Sequence, residues 1–343
     1  MQSLSRLIKQ EIKFPALAGA ALVLAPLILA ACITGQPIWL RAGLIAISTF
    51  IGMERAGLAP LGVLLHGLAI IAGFMALLCA LILPAFFVFG CAIMAAGSIL
   101  LTAKGEKLRS LGNFTFIPAL YLACETSENT APQLAIRHGI AFLPFAALAL
   151  LPGLAYSTVL HFRRRDRAQS ALRHLRRLSR HIDLGEKKPW LESAIVVALA
   201  VMAAASLVEW RHFANGQWVI WSAASVVTGN YASTGVKLLK RGTGALIGVP
   251  LGILFGRLLP HDLFAYDLTV LAATLTLVAF NRYIAGFTAR CMFIAMAFIA
   301  AGETVSVAAE RVVNVIIGGL IGYAFVFAIH ALEQMRTEKE AAL

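Results

Sequence analysis

Three stretches of this chain run for about twenty residues without an Asp, Glu, Lys or Arg: 14–34 (FPALAGAALVLAPLILAACIT), 61–83 (LGVLLHGLAIIAGFMALLCALIL) and 312–332 (VVNVIIGGLIGYAFVFAIHAL). A helix needs about 20 apolar residues to cross about 30 Å of hydrocarbon. With 60% apolar residues, only 13% charged residues and a mean hydropathy of +0.83, the chain has too much apolar surface to hide from water. The bilayer must be its solvent. The fold class is therefore all-α, a polytopic helical membrane protein. The N-terminal MQSLSRLIKQEIKF leads into an apolar run too long for a signal-peptide core, and reads as a retained first membrane helix. Cys32, Cys79, Cys91, Cys124 and Cys291 stand singly, as small apolar residues rather than disulfide or metal partners.

Apolar runs give about twelve spans: 14–34, 37–53, 61–83, 84–102, 113–124, 138–160, 190–208, 217–230, 242–259, 267–280, 286–301 and 311–332. Loop charge fixes their direction, because Lys and Arg stay cytoplasmic. Starting inside, alternate loops hold Lys104, Lys107 and Arg109, then Lys237, Lys240 and Arg241, then Arg282 and Arg290. The opposite loops hold Glu125, Glu128, Asp262, Asp267, Glu303 and Glu310. This places both termini of a multi-pass chain in the cytoplasm. Residues 161–188 carry ten Lys or Arg against three acids, +7 of the chain's +12. Leu172, Leu175 and Leu178 recur there at helical spacing, so a basic amphipathic helix on inner-leaflet lipid is expected. Nucleic acid is excluded as a partner, since the charge follows membrane topology.

The halves resemble each other. GQPIW (35–39) recurs as GQWVIW (216–221), 66–84 lies over 242–260 with both prolines in register, and 135–153 lies over 309–327. Two parallel six-helix repeats follow, an N-terminal one over 1–160 and a C-terminal one over 190–343, joined by the basic linker 161–189. A path for a solute is expected on or beside the axis between them.

Gly244, Gly248, Gly252 and Gly256 recur every fourth residue in RGTGALIGVPLGILFGRLLP (241–260). Glycine weakens a helix in water by about 1 kcal/mol relative to alanine. Between lipid-solvated helices, small residues on one face permit the backbone contact that holds helices together. The stripe is expected to pack on another helix or to leave a groove for a solute. It also leaves room for a homodimer. Arg241 is expected at the cytoplasmic start of this helix, with Gly242, Thr243 and Gly244 exposing the first N–H groups as a cradle for an anion; the competing reading is an arginine reaching lipid phosphate.

The run GQWVIWSAASVVTGN (216–230), a basic amphipathic stretch, and then RGTGALIG (241–248) resemble the signature of the fusaric acid resistance-like (FUSC) family of the aromatic acid exporter superfamily. ERVVNVIIGGLIG (310–322) is similar to that family's last helix. The resemblance covers the C-terminal half well and the N-terminal half weakly. It implies export of aromatic or other organic carboxylates through the inner membrane, and kinship with plant malate-type anion channels. Arg241, Gly242, Thr243, Gly244 and Gly248 match the motif. Where many relatives insert a large cytoplasmic domain this linker is short, and the N-terminal half has His66-Gly67-Leu68 in the motif's place.

Arg41, His66, Asn230, Arg290 and Arg311 complete the expected substrate-binding set, with Arg137 and Asn314 as lesser candidates. Arg41 stands out because a charge within a membrane helix usually faces the protein interior. The acids fall in loops or near span ends, so no midplane carboxylate relay is visible. His66 is the membrane-associated group best able to carry a proton. No GxxxxGK[ST], HExxH or Ser–His–acid pattern occurs, which points away from an enzyme, a metal site or a cofactor. The expected function is export of a small organic anion. A passive anion channel and a membrane scaffold remain the alternatives.

Overall fold

The computed structural model describes residues 10–105, 108–128, 130–163, 178–179, 190–227 and 231–341. These residues are helical nearly throughout. In chain order the helices are α1 (Phe14–Thr34), α2 (Ile38–Ala56), α3 (Pro60–Ala80), α4 (Pro84–Leu100), α5 (Arg109–Ser127), α6 (Pro132–Leu148), α7 (Leu150–Arg163), α8 (Leu191–Arg211), α9 (Gln217–Val226), α10 (Tyr231–Gly256), α11 (Leu263–Ala279), α12 (Tyr283–Ala300) and α13 (Val305–Ala341). A 3₁₀ turn, Leu101–Lys104, extends α4, and α7 follows α6 after a single residue. Pro60, Pro84 and Pro132 open α3, α4 and α6, where a missing N–H costs nothing and φ is already set.

Among the described residues, eight helices are long and apolar enough to cross a membrane. The elements that fall short on length or composition are α2, α5, α9 and α11. Two of these, α2 and α9, are mostly buried among other helices. A helix shielded by protein neighbours does not need the uniform apolarity that lipid demands, and the charges of α2, Arg41, Glu54 and Arg55, are exposed at its two ends. The exterior has the opposite character. Leu22, Leu29, Phe86, Ile93, Leu246, Leu254 and Leu258 all lie exposed on helix faces, a surface that lipid tails satisfy and water does not.

The main apolar core runs through both halves. Within the first half α3 packs on α5; within the second, α10 packs on α12. Across the halves α1 packs on α11, α4 on α8, and α5 on α9. Backbone bonds pin the ends. Lys13 N–H donates to the Ala279 carbonyl (2.7 Å), Asn281 N–H to the Glu11 carbonyl (2.8 Å), and Arg282 pairs with Glu11 at 2.9 Å. From the linker, Leu178 accepts from Ala59 N–H at 3.0 Å. The amphipathic helix expected in that linker falls outside the described residues.

The glycine stripe of α10 is a packing face. A Cβ on Gly248 would stand 2.3 Å from the Thr288 carbonyl oxygen, and one on Gly252 would stand 2.2 Å from that of Met292. Gly256 abuts Ile299, and Gly244 abuts Phe287 and Thr288. The partner residues themselves recur every three or four positions along α12, so the seam is a backbone-to-backbone contact along its length. A second seam brings Gly318 and Gly322 of α13 against the Val219 and Ala223 carbonyls of α9. Gly252→Ala is expected to cost about 1–3 kcal/mol through overpacking and to lower the melting temperature in detergent. Gly242→Ala, whose Cβ meets no atom within 4 Å, should hold or raise it; equal behaviour of the two variants would refute the seam.

Candidate functional site

The elements on which the site is built are α9, α10, α12 and α13, which pack on one another. α9 has ten residues, about 15 Å at 1.5 Å per residue, half the thickness of the hydrocarbon. A helix that ends inside a bundle leaves carbonyls to be satisfied by other groups. Arg109 of α5 meets part of this need, donating from Nη2 to the Val227 carbonyl at 2.8 Å.

Arg241 is 3% exposed. Its Nε donates to Ser222 Oγ of α9 at 3.3 Å and its Nη1 to Tyr283 Oη of α12 at 3.1 Å. Its guanidinium carbon lies 4.5 Å from the Phe287 ring centroid. Ser222 passes the link on, donating to the Val315 carbonyl of α13 at 2.6 Å. One turn before Arg241, the Lys237 ammonium lies 5.9 Å from the Tyr283 ring centroid. Arg241, Arg109 and Arg55 all act on it electrostatically. Arg290 is half-buried on α12, and its Nε donates to Thr276 Oγ1 at 3.2 Å. Arg311 of α13 is 2% exposed, its guanidinium carbon 3.8 Å above the Trp218 ring centroid of α9. Arg290 is within electrostatic reach of both Arg311 and Arg241.

Among the described residues no carboxylate lies within 4.0 Å of Lys237, Arg241, Arg290 or Arg311. The acids collect elsewhere. Glu125 and Glu303 act on Glu128, and burial together with these two neighbours pushes the Glu128 carboxyl above its usual range. The interior near α9 is consequently a cationic enclosure whose hydrogen bonds go to hydroxyls and whose guanidinium faces rest on aromatic rings. Such partners orient a cation without neutralising it.

The structure sorts the residues expected from sequence. Arg241, Arg290 and Arg311 come together. Arg241 gets there by another route than expected: α10 begins at Tyr231, so Arg241 lies almost three turns beyond the helix start and no exposed N–H cradle exists around it. Residues 231–240 extend the helix because their apolar and polar positions alternate at helical spacing. Thr243 faces outward, donating back to the Leu239 carbonyl at 2.8 Å, Gly242 faces open space, and Gly244 belongs to the α12 seam. Arg41 is not interior: its side chain is 56% exposed and pairs with Glu125 at 3.8 Å. It lies in the first turn of α2, where a long side chain reaches past the helix end. His66 is buried against Gly52, apart from the arginines. The Phe114 backbone is near its ring, yet neither ring nitrogen completes a hydrogen bond to a described residue. Arg137 is exposed. Asn314 bonds the Ala214 carbonyl at 3.0 Å and so joins α13 to the loop before α9. Asn230 falls outside the described residues.

Sequence reasoning missed Trp218, Ser222, Tyr283 and Phe287, and it took Lys237 for a loop charge. One signal was available: Trp218 and Ser222 lie four apart, as do Lys237 and Arg241, so each pair shares a helix face.

Apolar helices around such an interior make this a multi-pass membrane protein. Residues 196–325 match the family described as fusaric acid resistance protein-like. Trp218, Ser222, Arg241, Arg290 and Arg311 all lie within the match. The chain is also similar to an uncharacterized protein of Haemophilus influenzae, 30% identical over 89 residues. That alignment covers 26% of this chain and 12% of the relative, so the chain spans only a small part of that relative's length. No solved structure matches.

Ser222→Ala removes the acceptor for Arg241 and the donor to Val315 at once. A loss of about 1–3 kcal/mol is expected from the buried groups left unpaired, read as a lower melting temperature in detergent; an unchanged temperature would mean that Ser222 does not hold the arginine.

Proposed function

We propose that the protein exports small organic anions, aromatic carboxylates above all, outward across the inner membrane. The observation that carries this reading is the burial of Arg241 and Arg311, with Arg290 and Lys237 beside them and no described carboxylate within 4.0 Å. Removing a guanidinium from water costs several kcal/mol, which a counter-charge offsets. A transported carboxylate is such a counter-charge. The match of residues 196–325 to the fusaric acid resistance protein-like family supports the same class of substrate. The membrane potential supplies direction: a monovalent anion leaving a cell that is negative inside gains about 2.3 kcal/mol per 100 mV, so export on this scheme needs no relay of buried carboxylates.

The arrangement we infer is twelve spans in two parallel six-helix repeats, with both termini cytoplasmic. Two pairs of packing contacts support it. The third helix of each repeat lies on the fifth (α3 on α5, α10 on α12), and the first helix of each repeat lies on the fourth of the other (α1 on α11, α8 on α4). The α2 and α9 helices, which follow GQPIW and GQWVIW, are both enclosed. Basic loops on one side and acidic loops on the other support the orientation.

The test is benzoate efflux from liposomes containing the full chain. Arg241→Ala should lower the flux about tenfold or more, the loss of a charged hydrogen-bonding partner, with folding intact by melting temperature. Arg41→Ala should leave it unchanged. Equal flux from the parent and Arg241→Ala would overturn the reading.

A further inference from the structure

Arg311 and Trp218 hold the strongest unmet demand in the molecule. The Arg311 Nε and Nη1 groups and the Trp218 Nε1 group are all buried, and none makes a hydrogen bond to a described residue. Nitrogen–hydrogen groups this well enclosed nearly always have an acceptor, and here three without one belong to two side chains in direct contact. Trp218 is 5% exposed. Trp221 stacks on it at 5.1 Å and 26°, and Tyr121 of α5 meets it at 5.7 Å. The wider setting is cationic too: Arg241 acts electrostatically on Arg311.

We propose that this cluster is a second anion station, separate from the Arg241 position, which takes a planar aromatic carboxylate. This rests on the anion-export reading and adds the residues that select the substrate. The carboxylate accepts from Arg311 and from the Trp218 indole N–H. Trp221 and Tyr121, packed against Trp218, part to admit the ring of the substrate, and flat aromatic neighbours favour another ring over an aliphatic chain. The two stations are coupled mechanically. Trp218 and Ser222 lie one turn apart on α9, so the helix that carries the Arg311 partner also carries the Arg241 partner. Arg311 and Val315, the acceptor for Ser222, lie one turn apart on α13. An anion drawn to one station pulls on the helix that forms the other.

The experiment is indole fluorescence of the purified full chain in detergent, titrated with sodium benzoate, sodium acetate and sodium chloride. The parent should give a saturable change with benzoate, at an affinity about tenfold or more above that for acetate or chloride. Trp218→Phe and Arg311→Lys should each weaken benzoate about tenfold or more, while Trp210→Phe, at a residue 74% exposed, should change nothing. Melting temperatures show that each variant is folded. Arg311→Lys keeps the charge and loses the flat fork, so it separates geometry from electrostatics. Benzoate affinity unchanged in both Trp218→Phe and Arg311→Lys would overturn the station while leaving transport through Arg241 untouched. Chloride binding as tight as benzoate would overturn the carboxylate class. Binding that follows the expected pattern in a protein showing no liposome flux would support the station and refute export.

Discussion

A guanidinium taken out of water without a counter-charge is the constraint around which the second half of this molecule is arranged. Lipid offers it nothing, and burial raises the cost of the charge by several kcal/mol. The protein responds with hydroxyls and aromatic faces rather than acids. Ser222, Tyr283 and Thr276 accept hydrogen bonds, and Phe287 and Trp218 lie against guanidinium planes. Each of these fixes a direction and leaves the positive charge in place. A buried carboxylate would stabilise the same arginines more and would remove the reason for an anion to enter.

Such an interior can persist only if the helices around it are fixed by other contacts. The two glycine seams do this. Along the α10–α12 seam Gly248 and Gly252 admit the carbonyls of Thr288 and Met292, and along the α9–α13 seam Gly318 and Gly322 admit the carbonyls of α9. Close backbone packing of this kind substitutes for the hydrophobic drive that lipid-solvated helices lack. It also sets Arg241 and Arg311 at defined positions on rigid rods. α9 is the exception, a half-length helix held by Ser222, by the Arg109 bond to Val227 and by its seam with α13.

Much of this was legible in the sequence. The charge-free runs required membrane helices, and the four-residue glycine period pointed to a packing face, because both signals are local. Arg241 was identifiable from its motif, but its setting was not. Residues 231–240 look like a charged connection until their helical periodicity is given weight, and that extension moves Arg241 from a helix end into the helix body. Arg41 misled for the opposite reason. Its apolar surroundings resemble a membrane interior, whereas its place in the first turn of α2 lets it reach Glu125, a residue far away in the chain. Trp218, Tyr283 and Phe287 were not legible as partners of arginine, since pairing across helices leaves no trace in spacing. The family match over residues 196–325 covers the part of the chain where the local motifs were strongest.

The most direct test of an uncompensated cationic interior is the charge selectivity of flux in liposomes under an imposed membrane potential. The account predicts that benzoate moves at a rate that reverses with the sign of the potential, while an organic cation of similar size does not move at all. Equal passage of the cation, or benzoate movement indifferent to the potential, would contradict it.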